Sequence, residues 1–164
     1  MRYLSAIFAS AFLAACAHDP AAAPTPQASA LVTEYSVSVD AALPGQRVTV
    51  GEESSFRSNG DGEMVVMVFL EDLPAGVTDL ADASGTDSRT LMVGMQPSRD
   101  GDGRIVYEIH LAFQDDVEAH PFGLQDRPRL VAAEGETATV HLGQEAGEVY
   151  SRLTIDVTSH TVVD

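Results

Sequence analysis

From Leu31 onward the chain alternates apolar and polar residues with a period of two. Tyr35, Val37 and Val39 alternate with Glu34, Ser36, Ser38 and Asp40, and Val48 and Val50 alternate with Arg47 and Thr49. Such a period places successive side chains on opposite faces of an extended strand, so each segment predicts a strand with one buried face. Leu91, Val93 and Met95 mark another. Ile105 to Phe113 carries Tyr107, Ile109, Leu111 and Phe113 on one face and Glu108 and His110 on the other. Near the C-terminus Ala138, Val140 and Leu142 alternate with Thr137, Thr139 and His141, and Val149, Ser151, Leu153, Ile155 and Val157 form a longer stripe. Leu130 and Val131 begin a short strand. Met64 to Leu70 is continuously apolar, which predicts either a central strand covered on both faces or an edge patch covered by a partner. No segment of ten residues after Leu31 carries a helical stripe; at most, Asp115 to His120 makes one acidic helical turn before Pro121.

The breaks between these stripes are turn sequences. Leu43-Pro44-Gly45, Ser58-Asn59-Gly60-Asp61-Gly62, Asp100-Gly101-Asp102-Gly103 and Glu134-Gly135-Glu136 supply residues that tolerate positive φ. Asp72 to Ser88 is irregular and predicts a long loop, alone or with a short strand at Val77 to Leu80. Strands with one apolar face must cover it against a second sheet. The fold expected is therefore all-β, a β-sandwich of about seven or eight mostly antiparallel strands forming one domain over residues 31–164. A weak internal likeness relates Gly45–Val50 to Gly135–Val140, and it fits either a duplicated hairpin or a recurrent turn.

The N-terminus is built differently. Arg2 is followed by Tyr3 to Ala15, almost wholly apolar and small. Thirteen residues of helix reach about 20 Å, short of the roughly 30 Å of a bilayer's hydrocarbon core, so residues 1–15 read as an export signal and not as a permanent span. Leu13-Ala14-Ala15-Cys16 resembles the lipobox of bacterial lipoproteins. The resemblance implies cleavage before Cys16, a diacylglyceryl thioether on its sulfur and acylation of the new amine, which together anchor a chain stably to a lipid bilayer. Residues 16–30 then comprise the lipidated Cys16 and an Ala/Pro tether with Pro20, Pro24 and Pro26, which disfavour helix and extend the backbone. Ala17, in place of Asp, follows Cys16; by the lipoprotein sorting pattern this implies the outer membrane of a bacterial cell envelope.

Composition narrows the function. The chain has 25 acidic and nine basic residues, all of the latter Arg; loss of Arg2 with the signal leaves a formal charge of −17. A surface of that sign repels phosphate backbones, so nucleic acid is not an expected partner. The absence of Lys excludes Schiff-base chemistry and a Walker-type lysine. Cys16 is the only cysteine, so no intrachain disulfide is available. Without Trp, and with 6% aromatic residues, a large aromatic-lined groove is not expected.

Searches for catalytic signatures return little. There is no Gly-x-Ser-x-Gly elbow, no Gly-x-Gly-x-x-Gly after a strand and no Walker A sequence. Asp100 and Asp102 are spaced like the first ligands of a Ca²⁺ loop, but Arg104 and Leu111 stand where further ligands belong. His110, His120, His141 and His160 lack zinc-motif spacing, although His110 and His141 face outward and would converge if their strands were neighbours. The stretch from Leu91 to Phe113, with Gly94, Pro97 and Gly101 or Gly103, is similar to the paired strands of secretin-type bacterial sheets. That likeness covers under a fifth of the chain, lacks the membrane-crossing hairpin region, and implies a role in envelope assembly.

The function expected is that of a membrane-anchored envelope lipoprotein with a non-enzymatic binding or scaffolding β-domain. No catalytic, cofactor-binding or metal-ligating residue is assigned and no cofactor is expected. The partners are the lipid bilayer, through acylated Cys16, and an envelope protein. His120-Pro121-Phe122-Gly123-Leu124 places two apolar side chains in a turn. Phe122 and Leu124 either fold back as a plug over the core or project as partner contacts, and Met64 to Leu70 is the other candidate contact. A small-molecule or calcium-binding module and an envelope hydrolase are the alternative functions.

Overall fold

A computed structural model describes residues 29–80, 87–118, 120–124 and 127–163. Cys16 and the signal and tether residues up to 28 lie outside the described residues. Eight strands are formed: β1 Ser29–Leu43, β2 Gln46–Ser58, β3 Val66–Pro74, β4 Ser88–Arg99, β5 Ile105–Phe113, β6 Arg129–Ala132, β7 Thr137–Ala146 and β8 Val149–Val163. They build two four-stranded antiparallel sheets, in the orders β2-β1-β8-β7 and β3-β4-β5-β6. The two sheets make the eight-stranded sandwich that the alternating pattern calls for.

Several segments differ from the sequence expectation. β1 starts at Ser29, two residues before Leu31, and pairs with β8 over nearly its whole length, from Ser29↔Val163 to Ala42↔Tyr150. β2 runs far beyond Arg47–Val50 because it pairs continuously with β1, from Leu43↔Gln46 to Leu31↔Ser58. The polar run Gly51 to Ser55 is held extended by that ladder and not by its own propensity. No strand forms at Val77 to Leu80; Ala75–Val77 is a buried 3-10 turn. The acidic residues before Pro121 form no helix, and a 3-10 turn follows at Pro121–Gly123. The segments Gly45–Val50 and Gly135–Val140 open β2 and β7, the two outer strands of one sheet. Gly45 and Gly135 both adopt left-handed φ, 76° and 80°. Only the first copy's turn closes a hairpin, since the turn of the second carries the chain from the β6 sheet across to the β7 sheet.

The core lies between the sheets. From one side come Leu31, Tyr35, Val37, Val39, Leu153, Ile155 and Val157; from the other come Val68, Leu70, Leu91, Val93, Met95, Ile105, Tyr107 and Ile109. A chain of hydroxyls crosses this apolar layer. The Tyr107 hydroxyl on β5 donates to Ser159 Oγ on β8 at 2.6 Å, and Ser159 Oγ is hydrogen-bonded to Thr33 Oγ1 on β1. All three residues are buried, so each hydroxyl depends on the others for a partner. Burial pushes the Tyr107 phenol above its ordinary value, against the opposing effect of the Ser159 bond, which keeps the donor proton in place.

Removing the middle member of this chain leaves two buried hydroxyls unpaired, whereas removing the end member leaves Ser159 and Thr33 bonded. Ser159→Ala is therefore expected to cost about 2–4 kcal/mol and Tyr107→Phe about 1 kcal/mol, with the ranking measured by urea unfolding. Equal costs would show that the hydroxyl chain does not act as a unit.

Candidate functional site

The two outward faces of the sandwich differ in chemistry. On the β2-β1-β8-β7 sheet the outward side chains pair with one another. Thr137 and Thr158 hydroxyls lie 2.7 Å apart, His141 Nδ1 is 3.0 Å from Thr154 Oγ1, Thr139 donates to Asp156, and the Tyr150 hydroxyl donates to Asp40 at 2.8 Å. The Tyr150 bond holds the Asp40 carboxyl below its ordinary value, aided by Arg47. A shallow depression of about 650 Å³ lies on this face, lined by Glu34, Ser36, Glu53, Ser55, Asp156 and Thr158 among others. Among the described residues no group of three or more His, Cys, Asp or Glu is placed to hold a metal ion.

The outward face of the other sheet carries an apolar patch on its β3 side, with Gln96, Glu108 and Arg129 further along it. Along β3, Val66, Val68 and Leu70 face the core opposite Met95, Val93 and Leu91, so Met67 and Phe69 face out. Met64, Val65, Met67 and Phe69 are 41–44% exposed. Across the register, Met67 stands beside Gly94 and Phe69 beside Met92, and these continue to His110 and Ala112 on β5. Gly94 is the low point of this surface. A Cβ there would lie 3.0 Å from Met67 Sδ, 3.2 Å from His110 Cβ and 3.5 Å from Val65 Cγ1, so those three side chains close over a glycine that has none. A fourth side chain at this position would displace them. The central-strand reading of Met64 to Leu70 is therefore corrected: β3 ends its sheet, and only its inner face is covered.

His110 stands half-buried beside this patch, with its Cβ over Gly94. Its Nε2 is buried and has no hydrogen-bond partner among the described residues. Burial pushes the imidazole below its ordinary value of 6.5; the Arg127 charge adds to this and Glu108 opposes it. The patch thus presents a neutral ring near pH 7. His110 and His141 do not converge, since β5 and β7 belong to different sheets.

The remaining candidates are accounted for locally. Phe122 is 6% exposed and belongs to the core, and Leu124 packs partly buried against it. Phe122 takes a left-handed φ of 59°, and its N–H donates to Thr78 O at 3.0 Å. That conformation is uncommon for a bulky residue and turns the loop inward, so the plug reading describes Phe122 and the projecting partner contact does not. Asp100 is occupied by the chain itself: its carboxylate accepts from the Asp102 and Arg104 N–H groups at 3.0 and 2.9 Å and from Arg104 Nε at 2.9 Å. Partial desolvation raises the Asp100 carboxyl, and these donors outweigh it to leave the group below its ordinary value. Gly94 and Pro97 lie on β4 and Gly101 and Gly103 in the turn to β5, a hairpin within the apolar sheet.

Two outcomes are expected. Phe122→Ala should lower stability by about 3 kcal/mol, the scale for an aromatic removed from a core, as read by urea unfolding. For His110, the folded-state pKa is lowered, so the unfolded chain binds the proton first as pH falls. Stability is then complete above 6.5 and declines below it, through the folded value. His110→Leu should flatten this limb of a melting-temperature profile. The limb due to Asp40 and Glu134, the latter held low chiefly by the Thr161 bond, begins only below their ordinary values of 3.8 and 4.5. Comparison with known proteins finds no match to a family model, to a curated protein or to a solved structure, so the functional reading rests on the residues described above.

Proposed function

We propose that this protein is a lipid-anchored component of a bacterial envelope whose sandwich binds another envelope protein through the outward face of the β3-β4-β5 sheet. The single observation that carries the binding role is the contrast between the two outward faces. One carries polar side chains, several of them joined in cross-strand pairs. The other leaves Val65, Met67 and Phe69 exposed next to a buried His110 Nε2 that has no partner among the described residues. Contiguous exposed apolar side chains on an otherwise acidic protein mark an interaction surface.

The anchoring part is supported by sequence: Arg2, the short apolar run, Leu13-Ala14-Ala15-Cys16 and the proline-bearing tether. Acylated Cys16 holds the domain at the membrane, the tether spaces it from the lipid, and the apolar face meets the partner. Because Ala17 follows Cys16, the outer membrane is the proposed address.

Both halves are testable in intact cells. Cys16→Ser should move the protein from the membrane fraction to the soluble one, and mass spectrometry of the wild-type N-terminus should find a triacylated Cys16. A photoreactive side chain at Met67 should capture a discrete protein, while the same group at Thr139, on the opposite face, should not. An unmodified Cys16 thiol would end the anchoring reading. Identical capture from Met67 and Thr139 would end the binding one.

A further inference from the structure

The exposed side chains of β3 are only half of what that strand presents. Among the described residues β3 is the terminal strand of its sheet and pairs with β4 alone, so from Val66 to Leu70 its second backbone edge has no strand partner among them. The run Met64 to Leu70 contains no charge and no proline, the devices by which edge strands ordinarily resist pairing. The open edge has defined ends. Glu63 precedes the run, and at Glu71–Asp72 the register with β4 shifts, with Asp72 at a positive φ of 56°. About 17 Å of flat ladder is left between two acidic brackets.

We propose, resting on the reading that this sheet is the contact surface, that β3 accepts an extended strand of another protein, apolar at alternate positions and carrying Arg or Lys at both ends. Backbone hydrogen bonds along Val66–Leu70 supply the pairing, and the outward side chains of the added strand continue the surface formed by Met67 and Phe69. Charge complementarity decides the occupant. Glu63 and Glu71 flank the edge, in a chain of formal charge −16, so basic ends meet opposite charge at both limits of the ladder. A second copy fits poorly. The antiparallel register that overlaps the whole apolar run, centred on Met67, sets Glu63 of one copy against Glu71 of the other, and like charges directly opposite destabilise a strand pair. The tether of this same chain is also unsuited, because Pro20, Pro24 and Pro26 have no N–H to give to a ladder.

The test uses the full-length chain in nanodiscs of neutral lipid and two synthetic peptides of alternating Val and Thr, one ending in Arg on both sides and the other in Glu. The Arg-ended peptide is expected to bind at least tenfold more tightly, and amide hydrogen exchange of Val66–Leu70 should slow when it binds. The double variant Glu63→Arg, Glu71→Arg changes only the bracketing charges and should reverse the preference between peptides. Equal binding of the two peptides, or binding without slowed exchange in β3, overturns the proposal. Slowed exchange that depends on protein concentration without peptide overturns it in favour of self-association. Failure here with selective capture from Met67 intact leaves the face as a docking surface that does not add a strand. Failure of that capture with peptide pairing intact removes the envelope partner but not the edge.

Discussion

A sandwich of two sheets can cover only the faces that look at each other. In this protein that constraint is met by long antiparallel pairing at the centre of one sheet, where β1 and β8 stay in register for nearly their full length, and by the packing of their inner residues on β4 and β5. The Tyr107–Ser159–Thr33 hydroxyl chain crosses this layer toward the Ser29–Val163 end of the β1–β8 pair. Because a slip of one residue would turn every inward side chain outward, these buried hydroxyls oppose slippage in three strands at once.

What the constraint leaves uncovered gives the molecule its asymmetry. The outward face of the β2-β1-β8-β7 sheet is a polar ladder of Thr, Ser, Asp and His pairs in which the side chains answer one another across strands. The outward face of the β3-β4-β5 sheet carries Val65, Met67, Phe69 and Met92 around Gly94. The sequence MVVMVFL supplies apolar side chains to both faces of β3, one more face than the fold buries. An exposed apolar surface on an edge strand follows from that excess, and the acidic residues at each end bound it.

The strands were legible because their stripes are regular. β5 was readable to its end residues, since period-two alternation reports burial on one side directly, whereas β7 and β8 start where the stripes start but run on to Ala146 and Val163, past the stripes that end at Leu142 and Val157. β2 was not, because Gly51 to Ser55 has no apolar face and is held extended by β1. Phe122 could be read two ways, since a turn-borne phenylalanine packs inward or outward according to its backbone; a left-handed φ and a bond to Thr78 O turn it in. The approach of Met67 and His110 over Gly94 left no local signal at all, as the three residues lie on three different strands.

The order of apolar and polar residues by itself determined that the chain makes one-faced strands, since a period of two puts apolar and polar side chains on opposite sides of each strand; with no helical stripe to cover those faces, a second sheet was the expected cover. It also determined that Met64 to Leu70 carries more apolar surface than an ordinary one-faced strand. Only the tertiary structure decided that β3 would be an edge strand and not a central one, because strand order is set by which chains pair across space, and no residue in β3 encodes its neighbours. That order leaves His110 Nε2 without a partner among the described residues and leaves unpaired one backbone edge of the strand that carries the uninterrupted apolar run.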